Sequence, residues 1–305
     1  MSPTAKSGIF LSVGVFIFGF ADNLMLFISE QVSVGQFHFN RSIIAGLVVL
    51  LIAYFKRESI KPKSWKAVSS RTFCNTIAMI LYFGVIPMIP IAEAGAGLFT
   101  SPIFVLIFSC LFFKQTISKI QIIAFALGLV GVLLILGANL SKLTVFHTFP
   151  ILAGASYALG VIITNRHCKN ESPFTLLLAF LVSIGFVGLI MTTWFTIFPA
   201  SHFYLNQAPF LFNGWQAVDS FYWWIMVIVG LSGALAIYLM IIAYQIGNPT
   251  FSAIYEYVYL ISAGVFSWYL WAITPGLYSF IGIFSIVIAG AIIAFNNPKK
   301  GQSLV

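Results

Sequence analysis

The sequence predicts an all-α membrane protein of ten transmembrane helices, arranged as two inverted five-helix repeats with both termini cytoplasmic. Three observations lead there. Hydrophobic residues make up 60% of the 305 and charged residues only 7%, too few polar side chains to cover a soluble domain. Ten apolar stretches approach the roughly 20 residues needed to cross a hydrocarbon core about 30 Å thick. The basic residues, finally, sort to one side of those stretches.

In order, the spans are read at 8–28, 37–55, 72–91, 94–113 and 119–137, then at 146–164, 174–198, 221–244, 250–272 and 276–295. Five is odd, so a second repeat enters the bilayer from the opposite side. Similar halves, 1–144 and 145–305, are then related by a two-fold axis in the membrane plane. The first span could be mistaken for a secretory signal, with Gly19-Phe20-Ala21 imitating a cleavage site. Its apolar run continues through Ile28, longer than a signal core, so the span is expected to be retained.

With the N-terminus inside, Lys6, Lys56, Arg57, Lys61, Lys63, Lys66, Arg71, Lys114, Lys119, Arg166, Lys169, Lys299 and Lys300 all fall on the cytoplasmic side, Lys142 falls outside and Arg41 lies within span two. That is the positive-inside pattern. The net charge of +8 therefore reports topology, and no nucleic-acid partner is expected. The densest basic stretch, Lys56 to Arg71, reads as a loop facing anionic headgroups. The outer segment 199–220 is rich in aromatics.

Several chemistries are excluded. No G-x-x-x-x-G-K-[ST] loop is present to bind a nucleotide, and neither H-E-x-x-H nor G-x-S-x-G occurs. Cys74, Cys110 and Cys168 are widely separated and read as structural thiols. No cofactor is expected, and energy for uphill transport would come from a gradient.

The halves carry related landmarks. The first has Ile91-Ala92-Glu93-Ala94, Ser101-Pro102 and a span ending Gly131-Val132-Leu133-Leu134-Ile135-Leu136; the second has Ala253-Ile254-Tyr255-Glu256-Tyr257, Ile273-Thr274-Pro275 and a span ending Ile288-Ala289-Gly290-Ala291-Ile292-Ile293. Together with Phe39-Asn40-Arg41, Arg71 and Tyr157-Ala158-Leu159-Gly160, these segments resemble the two repeats of EamA-type members of the drug/metabolite transporter superfamily. The resemblance covers nearly the whole chain. It implies a secondary transporter of small metabolites with a central cavity built from both repeats. The family often has a glutamate at the ends of spans four and nine, where this chain has Gln115 and Ile273, so any role of that acid is missing. Ala21-Asp22 and Tyr255-Glu256-Tyr257 look closest to members carrying amphiphilic metabolites such as S-adenosylmethionine.

An ionisable side chain at the bilayer centre costs about 2.5–3.5 kcal/mol, so each needs a partner, a cavity or a function. Within the spans these are Asp22, Arg41 and Glu256, with Glu93 at a boundary. Asp22 and Arg41 lie at compatible depths, roughly 10 Å and 6 Å from the outer ends of their spans at 1.5 Å per residue. They read as a structural ion pair, as a substrate-binding pair, or with Arg41 snorkelling to the headgroups. Glu256, flanked by Tyr255, Tyr257 and Tyr259, suits a cationic or aromatic solute through charge pairing and cation–π attraction. It is also the group that would carry a coupling proton; the alternative is a hydrogen-bonded structural role.

Glu93 at the start of span four reads as a helix cap or a gate. Asn23, Asn75, Ser101 and Ser156 could bond a neighbouring helix or a solute, and Tyr157 joins the substrate-binding set. Gly154 and Gly160 give span six a close-packing face. Gly97, Pro102 and Pro249 mark bending points. Trp194, Trp223, Trp224, Trp268 and Trp271 read as interfacial anchors.

The resulting expectation is a plasma-membrane secondary transporter or exchanger, monomeric or weakly dimeric, for a small amphiphilic metabolite that is amino-acid-like or S-adenosylmethionine-like, with protons as the candidate coupling ion and membrane lipid around it. The rivals are an intramembrane transferase and a non-transporting subunit.

Overall fold

The computed structural model describes residues 3–86, 88–89, 91–98, 100–114, 118–135, 144–272 and 276–295. The first half holds α1 (Pro3–Met25), α2 (Val34–Lys56), α3 (Trp65–Phe83), α4 (Ile91–Leu98), α5 (Ser101–Phe113) and α6 (Lys119–Ile135). The second holds α7 (Thr148–His167), α8 (Pro173–Ile197), the short α9 (His202–Gln207) and α10 (Pro209–Phe212), α11 (Ser220–Ile246), α12 (Pro249–Ser252), α13 (Val258–Trp271) and α14 (Leu277–Phe295). Among the described residues five helical stretches, at 5–25, 34–56, 145–167, 173–197 and 220–246, are long and apolar enough to cross a membrane. Side chains such as Leu47, Leu51, Val182 and Phe186 stand exposed on the outside while Asp22, Arg41, Arg71 and Glu256 are buried. An apolar exterior around a polar interior is the pattern a bilayer demands.

Local chemistry sets the helix ends. The Ser33 side chain caps α2 by accepting from the Gln36 amide, and Asp219 caps α11 by accepting from Tyr222. Arg57 ends α2 in the left-handed conformation, its N–H turned back to Ala53 and Tyr54 carbonyls. Ser64 caps α3 through the Ala67 amide, so that helix begins at Trp65 rather than at the expected 72. Arg71 is thereby moved out of the basic loop and about two turns into a helix. The polar residues Ser69, Ser70, Arg71 and Thr72 had hidden this start from a hydropathy reading.

The spans expected at 94–113 and 250–272 are both interrupted. Between Leu98 and Ser101 the chain turns, with Thr100 donating to the Gly97 carbonyl, and Pro102 then opens α5. In the second half α12 gives way to a 3₁₀ turn over Ala253–Tyr257 before α13 resumes. Asn248, at the start of that segment, caps α12 through the Thr250 amide beside Pro249.

Helix pairs α1–α11, α2–α8, α3–α7 and α6–α14 make the main contacts, with α13 against α1 and α4 and α5 against α7. The closest crossing joins α2 to α8: a Cβ on Gly188 would lie 2.5 Å from the Gly35 carbonyl oxygen, and one on Gly35 would lie 2.6 Å from that of Gly188. Backbone on both sides leaves nothing to yield. Gly188→Val is therefore expected to cost about 1–3 kcal/mol, read as a lower melting temperature of the detergent-purified protein. Gly46→Val, where a Cβ meets open space, should leave it nearly unchanged. The close-packing face expected on span six is also present, Gly154 lying against the Leu98 carbonyl and Gly160 against the Asn75 side chain.

Candidate functional site

A cavity opens among α1, α3, α4, α7, α8 and α11, so its walls come from both halves of the chain. Phe18, Met79, Leu98, Val161, Phe180 and Met240 make it largely apolar, and its polar groups are Arg71, Asn75, Tyr157, Thr164 and Tyr244. An apolar lining with a few polar groups is the chemistry of a site for a small organic solute.

Behind one wall lies Glu256, fully buried in the 3₁₀ turn between α12 and α13. Ser101 at the head of α5 donates its hydroxyl to one carboxylate oxygen at 2.7 Å, and Tyr244 of α11 donates to the other. The Tyr157 hydroxyl of α7 stands beside this carboxylate and the Tyr244 hydroxyl. The two interrupted helices thus meet at one acid. Tyr157 and Tyr244 face the cavity with their rings and the acid with their oxygens. Glu256, read from the sequence as a solute contact, does not itself line this cavity, whereas Tyr157 and Tyr244 do.

A second polar centre surrounds Asp22. Its Oδ2 accepts from Tyr82 at 2.8 Å and Tyr259 at 2.7 Å, whose hydroxyls lie 2.6 Å apart. This ties α1 to the end of α3 and to α13. The expected Asp22–Arg41 ion pair does not form; Arg41 reaches the carboxylate only as a field through space. Its Nη2 lies 3.2 Å from His38 Nδ1, one turn away, and its guanidinium sits about 5 Å over the rings of Phe37 and Phe83. Helix α2 begins at Val34, seven residues before Arg41, and the Arg41 side chain is buried within the bundle.

The remaining candidates separate. Asn23 has a structural role: its amide donates to the Gly19 and Ala263 carbonyls and its oxygen accepts from Ser267. Tyr255, read from the sequence with Tyr259 as an aromatic flank of Glu256, lies in the 3₁₀ turn and packs against Gly8, while Tyr259 bonds Asp22. Ser156 bonds the Cys74 carbonyl. Pro102 stands at the break between α4 and α5. The side chain of Glu93, and Gln115 and Ile273, lie outside the described residues. Trp194, Trp223, Trp224 and Trp268 are exposed as anchors would be, whereas Trp271 stacks on Phe27 and donates to Asn23.

Sequence reasoning missed Tyr82, Tyr244 and the cavity role of Arg71. The first two carry no local signal, being tyrosines in apolar runs. Arg71 and Asn75 did carry one: polar residues four apart fall on one helix face.

Residues 6–137 match the EamA-like transporter family. The chain is 22% identical to an S-adenosylmethionine uptake transporter of Rickettsia bellii, covering 89% of this chain and 85% of the relative. It is 24% identical to the pseudopaline exporter CntI of Pseudomonas aeruginosa, covering 97% of this chain and 98% of that one. A solved crystal structure shares the fold with a TM-score of 0.76 at 15% identity, over 95% of this chain and 97% of its own.

Proposed function

We propose that this EamA-type membrane transporter of the drug/metabolite transporter superfamily moves a small amphiphilic metabolite, amino-acid-like or S-adenosylmethionine-like, across the plasma membrane by alternating access. The single observation that carries the proposal is the largely apolar cavity with a few polar groups, walled by both halves of the chain.

The halves are taken as inverted repeats, 1–144 and 145–305. Exchanging them element for element turns the α1–α11 contact into α7–α3, returns α2–α8 and α6–α14 to themselves, and turns α1–α13 into α7 against α4 and α5. That invariance supports a two-fold relation, as does the interruption of the fourth span in each half. Broken helices at matching places are where inverted-repeat transporters build their sites and hinges. In this reading Tyr157 and Tyr244 meet the solute, Glu256 holds both interrupted helices, and Pro102 and the 3₁₀ turn are the bending points. Glu256 is also the seat for a coupling proton: protonation would force one of its hydroxyl donors to turn round and accept.

The two named relatives carry small metabolites, one inward and one outward by their names, which favours transport over the transferase reading and leaves direction to experiment. The test is a thermal-shift and proteoliposome counterflow screen of amino acids, S-adenosylmethionine, nucleosides, polyamines and organic acids. A bound ligand at about 100 times its Kd stabilises by about 2.7 kcal/mol. Met79→Trp, which fills the cavity, should remove both the shift and the exchange. A compound carried equally well by the Met79→Trp protein would place the path elsewhere.

A further inference from the structure

We infer that Arg71, with Asn75 one turn along α3, is the seat of a substrate carboxylate, so that the solute carried is an amphiphilic acid or amino acid. This rests on the transport reading of the cavity.

Arg71 is 3% exposed and lines the cavity, yet no carboxylate among the described residues lies within ion-pair distance of it. Its Nε donates to Thr164 Oγ1 at 2.8 Å and its Nη1 to the Leu176 carbonyl at 3.1 Å. Thr164 is itself fixed, donating to the Gly160 carbonyl. The guanidinium is thus held from two sides by neutral groups, and of its five N–H donors two are used. Both of these bonds run to α7 and α8, and the neighbours whose fields reach it are Cys168 and Tyr157, each neutral in its ordinary form. A buried cation held only by neutral acceptors is poorly compensated.

Asn75 repeats the pattern. It is 8% exposed, lines the same cavity and forms no hydrogen bond among the described residues, its Oδ1 being buried without a donor. Gly160 packs on that oxygen, so the group Asn75 leaves open is its amide nitrogen, which has no acceptor among the described residues. A planar carboxylate matches the free fork of Arg71, while the Asn75 NH₂ donates to a carboxylate oxygen or an adjoining hydroxyl of the solute. The apolar body then lies against Met79, Phe180 and Met240. A solute without a carboxylate would leave the charge uncompensated.

A purely structural Arg71, clamping α3 to α7 and α8, makes a different prediction, so the test separates charge recognition from stability. The purified protein is titrated by thermal shift with 3-phenylpropionate, phenylalanine, leucine and methionine, each beside its amide, and with phenyl phosphate. The acids should bind the wild type about 10- to 100-fold more tightly than their amides, the range for a hydrogen-bonded charge. Arg71→Gln should erase that preference while leaving amide binding unchanged, and Arg71→Lys, keeping charge without the fork, should lie between. If Arg71→Gln does not fold, Arg71→Lys carries the comparison. Equal binding of acids and amides by the wild type, or a preference that survives the substitution, overturns the assignment and leaves the cavity reading standing. Tighter binding of phenyl phosphate than of every acid overturns the carboxylate in favour of phosphate. Binding of no compound overturns the cavity reading and the assignment with it.

Discussion

Glu256→Ala is expected to abolish solute exchange and to lower stability by about 3 kcal/mol or more. The carboxylate is the common acceptor for Ser101 of α5 and Tyr244 of α11, with Tyr157 of α7 beside them. Each buried hydroxyl left without a partner costs about 1–3 kcal/mol. Tyr157 and Tyr244 can still bond one another, so the losses do not simply add. Glu256→Gln keeps the volume and one good acceptor, and should lose less stability, about 1 kcal/mol, while still slowing exchange about tenfold or more. The measurement pairs melting temperature with counterflow in proteoliposomes for both variants. A Glu256→Ala protein that melts higher and transports normally would remove this residue from the site. If a proton is the coupling ion, an imposed pH gradient should drive uptake in the wild type and fail to do so in Glu256→Gln.

Hydropathy located the helices because a bilayer selects for length and apolarity, quantities that survive in a bare sequence. The described helices fall close to the expected spans, and the largest error, at α3, arose where polar residues face a cavity instead of lipid. The same cause hid Arg71, which looked like one more loop cation. Glu256 stood out because a carboxylate in lipid is costly wherever it sits. Its partners did not, since Ser101, Tyr157 and Tyr244 are brought to it by helices from distant parts of the chain. Asp22 and Arg41 were recognised singly and then joined to the wrong partners. Depth alone suggested an ion pair, whereas Tyr82 and Tyr259 already satisfy the acid and Phe37 and Phe83 flank the cation.

Asp22→Ala is expected to reduce stability by about 2–4 kcal/mol and to stop transport, because one carboxylate oxygen joins three helices drawn from both halves of the chain. Tyr82 ends α3 in the first half and Tyr259 stands in α13 in the second, and both hydroxyls converge on Asp22 in α1. Without the acid the two hydroxyls keep only their mutual 2.6 Å bond, which leaves one donor unsatisfied in a fully buried place. Arg41 would lose the one carboxylate whose field reaches it, adding to the cost of a buried cation. Asp22→Asn should be milder, since an amide oxygen accepts one hydroxyl and its NH₂ donates to the other. Tyr82→Phe and Tyr259→Phe should each cost about 1–2 kcal/mol. Their effects in the Asp22→Ala background should be smaller, a coupling of about 1 kcal/mol in a double-mutant cycle. Additive losses would mean that the three groups touch without acting together. A joint of this kind holds α1 to the resumed helix just beyond the 3₁₀ turn, so bending at that turn must either carry α1 with it or break these bonds. Exchange rates that rise in Tyr259→Phe while the melting temperature falls would favour breaking; rates and stability falling together would favour rigid movement of α1 with α13.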